Sequence, residues 1–238
     1  MLISAADFSN TLTIVINEDQ PKHTASFTVP EKLLTEKSEF FKAACRNGWK
    51  EASSRIVKVP EVDTSTFKAY IHWICKEQIS ISSQLTLDGE PNTAAESGPV
   101  LCDLAQLWLL ADRFADTLLR DLTINAMLRV TGRVYADYQN WTKGITSDMI
   151  EHVWSKTTAK RALRRFIVDL YAEGVEPKHL ERIKDELHPE FIKDLMMKAM
   201  RINNGDDYTT LFSHEVCYYH EHDDGDTSRC KKDALSLY

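Results

Sequence analysis

The chain lacks a long apolar run. No stretch approaches the roughly 20 residues needed to cross a bilayer, so no membrane span is expected. Its opening, MLISAADFSNTLTIVINEDQ, has no basic n-region and no long apolar h-region, so no secretory signal is expected there. A disulfide framework is also missing. Five cysteines, Cys45, Cys75, Cys102, Cys217 and Cys230, are an odd number without framework spacing. The first three fall on apolar faces of expected helices and read as small core residues in a reducing compartment. A cytoplasmic or nuclear location follows as the expectation. There is no basic excess: 29 Lys and Arg against 36 Asp and Glu leave a net charge of -7. Nucleic-acid binding rests on neutralising phosphates, so that partner class is not expected. Catalytic motifs are missing as well. The chain has no Gly-rich phosphate loop, no G-x-S-x-G, no H-E-x-x-H and no nucleophile beside an evident base. Neither an enzyme nor a small-molecule substrate is expected, and no internal repeat is visible.

What is present suits a globular protein. Hydrophobic residues make up 43% and charged residues 27%, and 238 residues suffice for one domain with an extension or two small domains. Leu12, Ile14 and Ile16 alternate with Thr13 and Val15, and Ala25, Phe27 and Val29 alternate with Ser26 and Thr28. This period of two predicts a hairpin across the polar NEDQPK, with a third strand at Arg55–Val59. Ser38 can cap a helix, EFFKAACRN, that Asn47-Gly48 stops. Asp63 can cap the next, where Phe67, Tyr70, Ile71, Ile74 and Cys75 form an apolar stripe. Ser80–Pro99 lacks periodicity and reads as a surface loop. Two helices follow, one with Leu101, Leu104, Leu107, Trp108, Ala111 and Phe114 on a broad face, the other with Leu119, Leu122, Ala126 and Val130. Residues 131–146 look like a junction, 147–205 like a helical extension, and 206–238 like a polar tail.

These residues carry a resemblance. Ser26–Ile79 contains a strand ending in Phe27-x-Val29, a helix with Leu33-Leu34, and the turn Ser38-x-x-Phe41. A Val57-x-Val59-Pro60 strand and the helix TFKAYIHWI follow, and LCDLAQLWLLADRFADTLLRDLTINAML looks like a closing pair of helices. The stretch 8–130 resembles the BTB/POZ domain, in wording closest to fungal proteins of that family. The resemblance implies an α+β fold: a head with a short three-stranded sheet plus helices, then an all-α extension. It implies a non-enzymatic protein-interaction module, often homodimeric, that acts as scaffold or adaptor. Phe8, Leu12 and Leu33 are the expected dimer anchors, partly exposed. Some members recruit a cullin scaffold as ubiquitin-ligase substrate adaptors, through an apolar-x-Glu step that Trp49-Lys50-Glu51 matches. The other reading has Trp49 packed on its own domain and Glu51 solvated. The chain departs from the family's pattern at Cys75, where a tyrosine is frequent, and at Pro30-Glu31, where a histidine is frequent.

Two further groupings stand out. Cys217, His220, His222 and Cys230 form C-x2-H-x-H-x7-C, a set of thiolates and imidazoles of the kind that holds tetrahedral zinc. It reads either as a zinc site ordering the tail, with a zinc-dependent regulator as the corresponding function, or as a polar tail with incidental histidines; no other cofactor is expected. The run KRALRR, Lys160 to Arg165, reads as a solvated face or as a patch for nuclear import or an acidic partner. His72 is expected at the surface, His152 at a helix contact, and His188 in a structural role at a helix start.

Overall fold

Alternation builds the sheet. β1 (Thr11–Ile16) and β2 (Ala25–Pro30) pair antiparallel, with Leu12 opposite Val29 and Ile14 opposite Phe27. The computed structural model describes residues 10–20, 22–46, 50–81, 94–134, 145–175, 177–205, 211–212 and 217–221. β3 (Ile56–Val59) lies parallel to β1 on its other side, so the order is β2-β1-β3. The central strand sends Leu12, Ile14 and Ile16 into the core, each fully buried. A parallel partner needs a crossover. Here it runs through α1 (Glu31–Lys37), α2 (Glu39–Ala44) and α3 (Lys50–Ser54). Beyond β1 the Asn17 side chain takes over the ladder's role. Its Nδ2 donates to the Val62 carbonyl at 2.6 Å, and its Oδ1 accepts from the Val62 amide at 3.0 Å.

The caps fall where the sequence puts them. Ser38 Oγ accepts from the Phe41 amide at the start of α2 and donates to the Phe114 carbonyl at 2.6 Å. Asp63 Oδ2 accepts from the Ser65 and Thr66 amides at the start of α4 (Thr64–Lys76). Phe67, Tyr70 and Ile74 of the expected stripe are buried, joined by Trp73; Ile71, Cys75 and His72 are half-buried. Phe114 packs against Phe41 and Tyr70, with ring centroids 4.8 and 4.9 Å apart.

Three expectations need correction. The stretch 80–99 is not all loop: α5 (Ala94–Arg113) begins six residues earlier and takes Pro99 inside it, at the loss of one backbone bond. Between the expected stop at Asn47-Gly48 and the third strand, where no helix was expected, Lys50–Ser54 is a short helix. In α6 (Thr117–Val134) the buried line is Leu119, Thr123, Ile124, Met127 and Thr131, while Leu122, Ala126 and Val130 are half-buried. Thr123 and Thr131 are fully buried polar residues, which a search for apolar residues passes over.

The chain forms two compact units, Met1–Leu85 with Leu110–Leu119, and Thr86–Leu109 with Arg120–Tyr238. The expected head, 8–130, is divided differently: Thr86–Leu109 and Arg120–Val130 cluster with the C-terminal helices. In the second unit α7 (Ser147–Lys156), α8 (Ala162–Gly174) and α10 (Pro189–Asn204) pack together, with α9 (Pro177–Ile183) ahead of α10. Their described elements are all helical, as expected of the extension. Thr146 caps α7, His188 Nδ1 caps α10, and Gly205 ends α10 at φ 81°. α8 is buried almost all round, Arg164 and Asp169 included.

Candidate functional site

Partner contact in the first unit was expected after α2. Trp49 lies outside the described residues, as does the Lys50 side chain. Glu51 stands in the first turn of α3, half-buried, with no ion pair to the described residues. Its carbonyl accepts the Arg55 amide at 2.9 Å. Arg55 then turns left-handed, φ 58°, a conformation that costs about 1–2 kcal/mol outside glycine. Its guanidinium offsets that cost. Nε and Nη2 donate to the Thr11 carbonyl at 3.2 and 3.0 Å, and Nη2 also reaches Glu31 Oε2 at 2.7 Å. The beginning of β1, the beginning of α1 and the end of α3 are thus held by one side chain, and Glu51 is carried on a fixed turn. Burial, then the charge of Glu31, pushes the Cys45 thiol up. Cys45 is therefore a thiol at neutral pH and a poor nucleophile.

Two of the three expected anchors, Leu12 and Leu33, are not at the surface. Leu12 is 0% and Leu33 7% exposed, because both point into the chain's own core. That corrects the reading of these two as partly exposed anchors. The third, Phe8, lies outside the described residues. The outward residues of α1 are Lys32 and Glu36, so a partner meets polar groups there.

An open depression of about 260 Å³ lies between the hairpin loop and the start of α4, with Asn17, His23, Glu61 and Asp63 among its walls. Asn17 is committed to Val62 and Asp63 to its helix cap.

In the second unit the described stretch Cys217–Glu221 is docked on the helices. Cys217–His220 form a turn, closed by the His220 amide on the Cys217 carbonyl at 3.1 Å. His220 is 8% exposed, and its Nε2 lies 2.9 Å from Asn125 Oδ1 on α6. Glu221 matters more than the histidines. Its Oε2 meets Arg120 at 3.0 Å and Arg161 at 2.9 Å, and its Oε1 accepts the Ala162 amide at the N-terminus of α8 at 2.6 Å. Tyr219 donates its hydroxyl to Asp169 Oδ2 at 2.7 Å, and Asp169 Oδ1 pairs with Lys198 Nζ at 2.9 Å. Cys217 is half-buried and free; His222 and Cys230 lie outside the described residues, among which no cluster of three metal-type ligands occurs.

The basic run has a third role, neither solvated face nor patch. Arg161 is held by Glu221 and lies over the Trp108 ring at 5.6 Å. Arg164 is buried, donating to the Trp154 carbonyl at 2.7 Å and to Glu190 at 3.1 Å. Arg165 donates to the Tyr218 carbonyl at 3.0 Å. The three arginines bind the unit's own helices and tail.

Sequence reading missed Asp169, Lys198 and Glu221. Two of them had a signal. Asp169 interrupts the apolar FIVDLY, and Lys198 continues the buried spacing of Phe191 and Leu195. A charge on an apolar line must find a partner. Glu221 gave none, standing between His220 and His222 of the grouping read as a zinc set or a polar tail. No protein-family model matches the chain, and no curated protein matches it significantly. No helix among the described residues is long and apolar enough to cross a membrane.

Proposed function

We propose that the chain is a protein-interaction module with a BTB/POZ-like head, pairing with a second copy and acting as scaffold or adaptor without chemistry of its own. The observation that carries this reading is the element order of the first unit. A hairpin, three helices, a strand parallel to the first and a capped helix contain the very residues that bear the resemblance. Of the closing helices, the segment Leu110–Leu119 belongs to that unit, with Phe114 in its core. Leu12 and Leu33 act in this reading as the core beneath the pairing surface.

Light scattering after size exclusion tests the pairing. The expected mass is twice 27.3 kDa at micromolar concentration, and a monomer throughout that range overturns self-association. A second reading, substrate adaptor of a cullin-based ubiquitin ligase, is favoured by Glu51, whose carboxylate stands on a fixed turn without an ion pair to the described residues. In a pull-down with a cullin, Glu51→Ala and Trp49→Ala should each weaken capture. Capture that ignores both changes removes this reading.

A further inference from the structure

α10 buries one side and leaves the other uncovered. Phe191, Leu195 and Lys198 face the unit, while Met196, Met197 and Met200 are 60%, 48% and 56% exposed. Three exposed methionines on one helix are unusual. Methionine adapts its shape to a partner and is over-used on binding surfaces. Helical spacing sets them in two adjacent rows, one of Met196, Met200 and Asn204, the other of Lys193, Met197 and Arg201. Each row spans eight residue steps, about 12 Å at about 1.5 Å per step. Lys193 and Arg201 are exposed and make no ion pair among the described residues. Arg120, Arg161, Arg164 and Lys198 are each held by a carboxylate, whereas the exposed Lys160, Lys178 and Lys184, like Lys193 and Arg201, make no ion pair among the described residues. In an acidic chain, two free cations at the ends of an apolar row ask for acids from outside.

We propose that this face of α10 docks an acidic amphipathic helix of another protein, methionines against its apolar stripe, Lys193 and Arg201 against its carboxylates. The inference rests on α10 alone and does not depend on the reading of the head. A second copy is the wrong occupant. Antiparallel pairing of two α10 faces about a two-fold axis sets Lys193 against Arg201, and parallel pairing sets each cation against its own counterpart. Both bring like charges together. A membrane surface fits less well, since interfacial helices carry aromatic anchors and this face has none.

The test uses the full chain and a labelled helical peptide with leucines at i, i+3, i+4 and i+7 flanked by glutamates, beside the same peptide with lysines for glutamates. Fluorescence anisotropy should show the glutamate peptide binding at least tenfold tighter. Met196→Ser with Met200→Ser should weaken it about tenfold. Lys193→Glu with Arg201→Glu should reverse the preference to the lysine peptide, an outcome that misfolding cannot imitate. The proposal falls if neither peptide binds up to millimolar concentration, or if the charge variant leaves the preference unchanged. It also falls if phosphatidylserine vesicles bind the chain and the peptides do not, or if the methionine variant changes the oligomeric mass.

Discussion

Lys198→Met should unfold the second unit far more easily than its conservative volume suggests. The Lys198 and Asp169 side chains are 7% and 4% exposed, with Nζ and Oδ1 2.9 Å apart. At an effective dielectric constant of about 20, two charges at about 3 Å attract by roughly 5 kcal/mol. Removing both from water costs a comparable amount, so the pair adds little net stability. Its removal is asymmetric. Lys198→Met alone takes the cation away from the buried Asp169 carboxyl, which costs about 3–5 kcal/mol. At roughly 2–4 °C per kcal/mol for a unit of this size, the transition should drop by about 6–20 °C. Asp169→Leu with Lys198→Met removes both charges but strands the Tyr219 hydroxyl, at about 1–3 kcal/mol. Adding Tyr219→Phe should bring stability to within about 1 kcal/mol of wild type or above it. Calorimetry on the four proteins gives the series. If Lys198→Met costs under about 1 kcal/mol, or the triple variant is no better than the single, the pair is not buried as described.

Other outcomes can be stated more briefly. Burial raises the pKa of Tyr70 and Tyr171, and burial with the Asp169 charge raises that of Tyr219. Groups with raised folded pKa contribute stability that is whole below about pH 10, the unfolded value, and lost as pH rises above it. Absorbance at 295 nm should therefore show at least three of the eight tyrosines resisting ionisation until the chain unfolds; eight ionising together near pH 10 in the folded protein would refute this. Asp116→Ala removes both the partner of Trp73 Nε1, at 2.9 Å, and the cap on the Leu119 amide, at 3.0 Å. It should cost about 2–4 kcal/mol by urea denaturation, the sum of a cap and a stranded buried donor. For Asp63, burial pushes the pKa up, but the Ser65 and Thr66 donors outweigh it and the net shift is downward. Its contribution is present above about pH 4 and lost as pH falls through the folded value, so Asp63→Ala should cost about 1 kcal/mol at pH 7 and less at pH 3. Glu221→Gln keeps the shape and removes the charge between Arg120 and Arg161. Hydrogen exchange at the Tyr219 and His220 amides should speed up several-fold; unchanged exchange would mean that apolar packing, not charge, docks the tail.

Local chemistry was legible in the sequence. The period of two set the hairpin and its inward residues Leu12, Ile14 and Ile16. Ser38, Asp63 and Gly205 capped or ended helices because their side chains or backbone freedom act within a few residues. The start of α5 and the buried face of α6 were not legible, since Pro99 and the buried Thr123 and Thr131 break local rules that tertiary packing overrides. Burial was not legible at particular residues. Leu12 and Leu33, expected at a dimer surface, serve the core; the basic run, expected at the surface, holds the tail. Charge partners lie far apart in the chain, Arg120 from Glu221 and Asp169 from Lys198, and no local pattern links them. Periodicity and capping, which act over one or two turns, determined the elements and their α+β class. Which apolar face met which, and which cation found which carboxylate, waited for the folded chain, because burial and Coulomb attraction depend on distance in space and not along the sequence.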